Sequence, residues 1–596
     1  MRALASFAPG SAHVGPFDAD MAIPVLMANG SSGHPLFDAY YFGQDRFGAW
    51  PYLLARLARW GLGFDWTASR LFWAHASAAL LAAVPLAFVA RRVGWGAMAA
   101  SALVAVTNPA VFRSFFVSQP YAWQVLALVG AWAVLHSLFW RPERPGKRLV
   151  GLGVLSFLAV WMSPASGPLL VGLLGVEGLA WRGPESWRER LWRAVPLGML
   201  VAGAMAGERL LRWRYHRTVR RAFGQDYRTE VYLDTEHLLD NTRALADVWL
   251  REGWRPALVL AAVGVGAFVA LRLRARVPEG WEALTLGVGA TGVAVANFAL
   301  CAAVSHVRGN LYHERYLVLS HVFLAMASVL VVLAGAQALL AARPRAWEVG
   351  ASLLALGLLG AAHLGMPAPA PLPEQRVLEE TARLLQPEQG TRVLLGTYWG
   401  TYAYAALARP GSVVAVPVEG DYQRTPFDLE RLREADEVVL NHGELDAFGP
   451  ATAPHALIGQ HGVLLRLVQA ASPREGFSRY ARADRGALPT TAQPPVTEWT
   501  LCEPSARATV RFESPGPVTV LVRAMGVREG VPVPRVVLSG RALPVEVLPH
   551  FYRVRVDEPV RDTPLEWSTS EGMRGEGPGC RTQDVFVLPE SSTLAH

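Results

Sequence analysis

Residues 316–341 read YLVLSHVFLAMASVLVVLAGAQALLA, an apolar run without a single Asp, Glu, Lys or Arg. The hydrocarbon core of a bilayer is about 30 Å thick, so a helix needs about 20 apolar residues to cross it. Similar runs lie at 70–90, 94–112, 120–140, 148–163, 164–181, 192–211, 255–273, 281–304 and 346–366. The sequence therefore predicts a polytopic α-helical membrane protein, with a bundle of about ten spans over residues 70–366.

The basic residues separate these runs instead of forming one stripe. The 596-residue chain has a net charge of +7, and its arginines gather at every second junction: Arg91 and Arg92, 141–148, 182–193, 272–276, and Arg343 with Arg345. Basic residues at alternate junctions mark the cytoplasmic side of a membrane. We therefore expect a lipid bilayer and no nucleic acid as partner, and we place residues 17–50, 212–253, 305–315 and those after 366 outside.

The predicted topology needs an explanation for how the start of the chain reaches the outside. Residues 1–16 hold no hydrophobic segment that starts translocation, although the topology places them outside. A first transmembrane helix upstream of Met1 explains this, and translocation of the short N-terminal tail is the alternative.

The residues after 366 have the pattern of soluble domains. Pro367–Pro373 is a stiff linker. Alternating helix and strand patterns over 374–468 predict a small α/β domain with a mostly parallel sheet. Residues 470–497 resemble a second linker, and short apolar strands over 498–590 predict a β-sandwich-like domain. Cys502 and Cys580 can pair there if the compartment is oxidising.

The outer segment from Phe17 to Trp50 precedes the first span and carries four carboxylates: Asp18, Asp20, Asp38 and Asp45. We interpret residues 1–69 as an outer catalytic loop with juxtamembrane helices. Because an apolar run begins at Met21, Asp18 and Asp20 are either general bases or helix N-caps. Residues 50–60 place leucines on one face, which predicts a helix in the membrane interface, with a plain connector helix as the alternative.

Other outer residues and three intramembrane ones complete the candidates. The arginines of the 212–253 loop either cradle an anionic head group or form a solvated surface. In the 305–316 loop, Arg308 and Arg315 suit phosphate, whereas His306 and His313 lack the spacing of metal ligands. We expect Glu208 and Arg209 to form an ion pair, and Asn297 to pack or to bond between helices.

These groups match the needs of one reaction. Transfer of a sugar from a polyprenyl phosphate requires a base for the acceptor hydroxyl, cations for the leaving phosphate and a cavity shielded from water. Asp18 or Asp20 supplies the base. Arg46, Arg308 or Arg315 supplies the cation.

The stretch FDADMAIPVLMA (17–28), followed by YFGQD (41–45), resembles the first outer loop of GT-C-type membrane glycosyltransferases, and Arg315-Tyr316-Leu317 resembles a later element of them. This superfamily includes protein O-mannosyltransferases and lipid A aminoarabinose transferases. The resemblance covers residues 17–366. It implies inverting transfer from a polyprenyl-phosphate-linked sugar to a lipid, glycan or protein acceptor. It also implies a bacterial inner membrane, with the C-terminal domains in the periplasm.

The resemblance also assigns residues. Asp20 or Asp18 is the implied catalytic carboxylate, with Asp20 preferred because it directly opens the helix. The substrate-binding candidates are Tyr41, Gln44, Asp45, Arg46, Arg113, Arg308 and Arg315. Relatives often carry an acidic residue in the next outer loop, but residues 112–123 contain none. Metal use varies within the superfamily, so no cofactor is assigned and a divalent metal stays an option.

The competing hypothesis is a non-catalytic membrane protein, either a lipid-linked glycan flippase or an assembly scaffold. A transporter usually has internal repeats and polar residues at mid-bilayer. The polar residues of this chain gather at one membrane face, which favours an enzyme.

Overall fold

A computed structural model of the chain describes residues 10–11, 16–81, 120–140, 145–181, 187–223, 227–228, 232–251, 255–273, 280–339, 372–417, 423–441, 455–458, 463–469, 477–482, 499–500, 505–510, 517–523, 535–538, 540–548, 551–557, 563–568, 582–583 and 585–589. The predicted spans at 94–112 and 346–366 lie outside these ranges, as do Arg113, Cys502 and Cys580. The contacts divide the chain into two compact units, residues 1–385 with 402–411, and residues 386–401 with 412–596.

The first unit is helical. Its described helices are α1 (Ala19–Asn29), α2 (Trp50–Leu62), α3 (Ala68–Leu81), α4 (Tyr121–Trp140), α5 (Pro145–Met162), α6 (Ser166–Ala180), α7 (Trp187–Phe223), α8 (Leu238–Arg251), α9 (Arg255–Arg272), α10 (Trp281–Ala302), α11 (Ser305–Gly309), α12 (Val318–Leu339) and α13 (Pro373–Leu384). Five described helical segments are long and apolar enough to cross a membrane: Tyr121–Trp140, Leu191–Phe223, Arg255–Arg272, Trp281–Ala302 and Arg315–Leu339. The predicted class of polytopic helical membrane protein is confirmed.

α10 and α12 pack closely because small residues line their contact. A Cβ on Gly287 would lie 3.2 Å from Val331 Cγ2. Asn297 Nδ2 donates to Ser320 Oγ at 2.9 Å and to the Tyr316 carbonyl at 3.2 Å, which confirms the predicted bond between helices. Such bonds contribute about 0.6–2 kcal/mol each in a membrane. This bond fixes the start of α12, next to Arg315.

The prediction of an outer loop over 212–253 is wrong at its beginning. α7 continues to Phe223 as a helix of 37 residues. Its length is therefore about 56 Å, nearly twice the hydrocarbon thickness of about 30 Å. The arginine-rich end of α7 therefore continues the helix beyond the span instead of forming a loop. The expected pair of Glu208 with Arg209 is also wrong, because Glu208 Oε1 lies 2.6 Å from Arg212 Nη2, one turn further on. Residues i and i+4 share a helix face, whereas i and i+1 diverge.

A buried polar cluster, which sequence analysis missed, joins three helices at the other end of the bundle. His136 Nδ1 on α4 lies 2.9 Å from Glu177 Oε1 on α6. The indole N–H groups of Trp132 and Trp140 donate to the same carboxylate at 2.9 and 3.0 Å. His136 Nε2 lies 3.2 Å from Glu282 Oε1 on α10. Ionisable groups inside a membrane are costly unless partnered, so these contacts tie the three helices together.

The second unit contains β-sheets. The division between the units falls within α14 (Tyr398–Leu407), and α15 (Leu429–Glu434) belongs to the second unit. The strands of the second unit are β1 (Arg392–Gly396), β2 (Val413–Pro417), β3 (Glu437–Asn441), β4 (His455–Ile458), β5 (Val463–Gln469), β6 (Phe477–Arg482), β7 (Trp499–Thr500), β8 (Ser505–Val510), β9 (Val518–Arg523), β10 (Arg535–Leu538), β11 (Arg541–Leu543), β12 (Val545–Leu548), β13 (Phe551–Val556), β14 (Thr563–Ser568), β15 (Thr582–Gln583) and β16 (Val585–Pro589).

The first sheet has the order β2-β1-β3-β6-β5-β4. β1 pairs in parallel with β2 and β3, in register Leu394↔Ala415 and Leu394↔Val439. The pairs β3–β6, β6–β5 and β5–β4 are antiparallel, so the prediction of a mostly parallel sheet is wrong. β6 lies within residues 470–497, so the prediction of a linker there is also wrong. The later strands form two four-stranded sheets, β11-β10-β14-β8 and β12-β13-β9-β16, and the pair β15-β7.

Candidate active site

Asp18 and Asp20 lie at the N-terminal end of α1, where their side chains have different partners. Asp18 is the N-cap, and its Oδ1 accepts a hydrogen bond from Met21 N at 2.9 Å. Asp20 Oδ2 lies 4.0 Å from Arg315 Nη1. The Asp20 backbone carbonyl accepts a hydrogen bond from the Tyr41 hydroxyl at 3.1 Å. The capping interpretation thus holds for Asp18, while the Asp20 carboxylate lies beside an arginine.

The Asp18 carboxyl gives a testable pH dependence. Burial raises its pKa to about 6 from 3.8, despite the Met21 N–H, which lowers it. Protonation therefore stabilises the fold fully below the unfolded pKa, and this contribution is lost as pH rises through about 6. Since Asn caps a helix as well as Asp does, Asp18→Asn should keep or raise the Tm at neutral pH and flatten its change with pH. Thermal unfolding in detergent from acidic to neutral pH measures this. A lower Tm for the variant at every pH would contradict it.

The chain between α1 and α2 turns back on itself before Gly48. Tyr41 N donates to the Phe47 carbonyl at 2.8 Å and closes the turn. A Cβ on Gly48 would lie 2.5 Å from the Trp161 carbonyl oxygen, so only glycine fits against α5. This packing holds residues 44–46 in place.

Arg46 contacts the segment 305–316, which the sequence predicts to lie outside. Its Nη1 contacts His306 Nε2, and its Nη2 donates to Gln44 Oε1 at 3.1 Å. Burial, with the charges of Arg46 and Arg315, lowers the pKa of His306 to about 4. The imidazole is therefore neutral at physiological pH and accepts the hydrogen bond from Arg46.

Arg315 is held in place on the same segment. Its Nη2 donates to Asn310 Oδ1 at 3.1 Å and lies 3.4 Å from the Tyr316 hydroxyl. Its guanidinium carbon lies 5.3 Å from the centre of the Tyr316 ring, a favourable cation–π distance. Sequence analysis singled out Arg315 but missed Asn310, because a loop amide has no pattern that distinguishes it.

These residues form one group, which we call the Asp20 cluster: Asp20, Arg46, His306, Asn310 and Arg315. Arg46 and Arg315 each keep a buried Nε without a hydrogen-bond partner among the described residues. A buried donor without an acceptor costs free energy. The cluster contains two guanidinium groups, one carboxylate and one neutral imidazole, so it carries excess positive charge. A phosphate satisfies both the charge and the donors.

Two predicted substrate-binding residues have protein partners instead. Asp45 Oδ2 lies 3.1 Å from His216 Nε2 on α7, and Arg308 Nε lies 3.0 Å from Asp234 Oδ2. Both contacts fasten an outer loop to a neighbouring element. The geometry favours a positioning role for Asp45 and Arg308, and direct substrate contact stays a prediction.

The 305–316 segment turns through two left-handed residues that are not glycine. Leu311 and Tyr312 have φ of 53° and 54°, a conformation that costs roughly 1–2 kcal/mol per residue. The Tyr312 hydroxyl donates to Asn241 Oδ1 at 2.7 Å, and Tyr312 N donates to the Val307 carbonyl at 3.0 Å. These anchors hold the turn between Asn310 and Arg315.

A separate surface cavity of about 460 Å³ lies at the other end of α1, beside Asn29, Arg56 and Trp60. Nine helical residues, or about 14 Å, separate Asn29 from Asp20. The cavity is therefore distinct from the Asp20 cluster.

No protein-family model and no curated protein matches the chain. Two solved structures from Archaeoglobus fulgidus are similar to it. The oligosaccharyltransferase tethered with an acceptor peptide containing the NVT sequon has a TM-score of 0.34 and 13% identity, over 71% of this chain and 64% of that chain. The oligosaccharyltransferase AglB with an inhibitory peptide and a dolichol-phosphate has 0.35 and 13%, over 80% and 71%.

This chain spans less than two thirds of the length of the first of these proteins. At TM-scores this low, no residue of this chain is matched to a residue of the other chains. The candidate site is therefore defined by the contacts within this chain alone.

Proposed function

We propose that the chain transfers a sugar from a polyprenyl-phosphate donor to a hydroxyl acceptor at the periplasmic face of a bacterial inner membrane. The Asp20 cluster is the observation that carries this proposal. It joins a carboxylate to an arginine at 4.0 Å, with a second arginine in the same group. A base and a phosphate-binding pair are the two functions that such a reaction needs.

In the proposed reaction, Asp20 takes the proton of the acceptor hydroxyl while the hydroxyl oxygen attacks the anomeric carbon of the sugar. The bond between that carbon and the phosphate oxygen breaks, and its electron pair leaves with the polyprenyl phosphate. Attack from the side opposite the leaving group inverts the anomeric configuration. The products are the glycosylated acceptor, protonated Asp20 and the polyprenyl phosphate.

Arg46 and Arg315 stabilise the leaving phosphate. Charge-assisted hydrogen bonds from a guanidinium are about twice as strong as neutral ones. They strengthen as negative charge grows on the departing oxygen. Asn310 and Tyr316 hold Arg315 from one side, which leaves its other donors directed elsewhere.

The geometry and the pKa favour different carboxylates as the catalytic base. A pKa of about 6 suits the Asp18 carboxylate to act as a base near neutral pH. However, its Oδ1 already accepts the Met21 N–H, and it has no arginine partner among the described contacts. Asp20 lies beside the proposed phosphate site, so we assign the catalytic role to Asp20 and the capping role to Asp18.

Deletion of the gene tests the function directly. We expect a sugar to be lost from surface glycans, lipids or proteins, while its polyprenyl-phosphate precursor accumulates on the periplasmic leaflet. Mass spectrometry of lipid-linked sugars and surface glycans measures both, with a complemented strain as control. Comparing intact with opened spheroplasts after treatment with a glycosidase identifies the leaflet that holds the precursor. Accumulation on the cytoplasmic leaflet would support the flippase hypothesis instead. Unchanged glycans and lipid-linked sugars would contradict both.

A further inference from the structure

One face of α2 is apolar, uncharged and exposed at the surface of the molecule. Leu57 is 62% exposed and Trp60 is 88% exposed, and Leu54 and Leu62 are also exposed. The helix has 13 residues and is about 20 Å long, too short to cross a hydrocarbon core of about 30 Å. An exposed face of leucine and tryptophan, on a helix that cannot span, suits the surface of a lipid leaflet.

The opposite edge of α2 grips the C-terminal end of α1. Arg56 Nε donates to the Met27 carbonyl at 2.6 Å, and Arg59 Nη1 donates to the Asn29 carbonyl at 2.8 Å. The last carbonyls of a helix have no partner within the helix, so these bonds satisfy them. Arg56 is also fixed by Asp38 at 2.6 Å.

Trp66, just after α2, locks the same junction. Its backbone carbonyl accepts from Asn29 Nδ2 at 2.6 Å, and its backbone N donates to Asn29 Oδ1 at 2.8 Å. Its indole N–H donates to the Ala55 carbonyl at 2.7 Å. α1 and α2 therefore move as one body, with the apolar face on α2 and Asp20 at the far end of α1.

We propose that α2 lies on the lipid surface of the outer leaflet and that its grip on α1 sets the depth of Asp20 relative to the lipid phosphates. This inference rests on the proposed function. A lipid-linked donor holds its phosphate at a fixed depth in the membrane, so the base that serves it must be held at a matching depth. The charged residues that border this face at Trp60 are already paired, Arg56 with Asp38 and Arg59 with Asp65. The face adjoins a chain that crosses the membrane.

The first test measures depth without activity. A spin label on Leu57→Cys, in a background with Cys301, Cys502 and Cys580 replaced by Ala, is compared with a label on Asp240→Cys, an exposed outer position on α8. In phosphatidylcholine–phosphatidylglycerol vesicles, the Leu57 label should be accessible to oxygen and shielded from a water-soluble nickel complex, and the Asp240 label should show the reverse. A Leu57 label that is accessible to the nickel complex overturns the proposal. So does a label shielded from both reagents, because another protein segment then covers the face.

The second test measures the coupling. The double variant Leu57→Asp with Trp60→Asp should transfer about tenfold or more slowly from a long-chain donor in vesicles, because misplaced reacting groups are costly. With a short-chain, water-soluble donor in detergent its rate should equal that of the unmodified protein. No loss with the long-chain donor, or equal losses with both donors, overturns the proposal. Failure of the proposed function looks different: the unmodified protein then transfers from neither donor, while the Leu57 label still lies in lipid.

Discussion

An Asp20→Asn protein is expected to lose sugar transfer by about 10²–10⁴-fold, the usual contribution of a general base. Asparagine has nearly the same shape but accepts no proton from the acceptor hydroxyl. The Asp20 backbone carbonyl still binds Tyr41, and the helix cap is made by Asp18, so folding should be unchanged. Transfer is measured on purified protein with a lipid-linked sugar donor, and membrane insertion by protease protection.

Asp18→Asn is the matched control for this variant. It makes the same chemical change two residues away, at a position where asparagine keeps the cap. We expect it to retain transfer. If Asp18→Asn is inactive and Asp20→Asn is active, the roles of the two carboxylates are reversed. If both variants are active, the base lies outside this helix end.

An Arg315→Gln protein is expected to bind a short-chain polyprenyl phosphate roughly 10–150-fold more weakly. Hydrogen bonds to a charged group contribute about 1.5–3 kcal/mol, and each 1.4 kcal/mol is a factor of ten in affinity. Arg315→Lys should lose most of this binding as well, since one ammonium cannot hold Asn310 and a phosphate in the geometry of a planar fork. Citronellyl phosphate, titrated in detergent and followed by calorimetry, measures the affinity.

Arg243→Gln serves as control for the loss of a positive charge. Arg243 is an exposed arginine of the outer segment, 3.6 Å from Asp240 on the same helix. We expect its affinity for citronellyl phosphate to stay unchanged. A similar loss in both variants would indicate nonspecific attraction, and unchanged binding by Arg315→Gln would place the phosphate site elsewhere.

The regular elements were predictable because their signals are local. The runs at 120–140 and 281–304 became α4 and α10 within a few residues, and the alternating pattern predicted from residue 374 became β1, α14, β2, α15 and β3. A continuous apolar run or a strand–helix alternation reports burial directly. The antiparallel strands β4–β6 were missed because pairing direction is set by contacts between distant residues, and the polar composition around β6 resembles a linker.

The residue types of the site were predictable, but the contacts between these residues were not. The four carboxylates of Phe17–Trp50 and the arginines and histidines of 305–316 marked both segments, and the structure brings Asp20, Arg46 and Arg315 together from them. No sequence pattern predicts that Asp45 contacts His216, 171 residues away. The left-handed Leu311 and Tyr312 carry no glycine or asparagine signal, so the turn that positions Arg315 was also missed.

The partnered carboxylate of Glu177 has a consequence for how a long lipid reaches the site. The contacts of His136 with Glu177 and Glu282 hold α4, α6 and α10 together at one end. Parting the helices there would strip a charged group of its partners inside hydrocarbon. At the opposite tips Gln124 Nε2 donates to Ser166 Oγ at 3.0 Å and still ties α4 to α6. Separation therefore costs least between this pair and the end of α10, near the 305–316 segment. If the proposed donor enters sideways between helices, its lipid chain would pass between α10 and this pair, on the side of the Asp20 cluster.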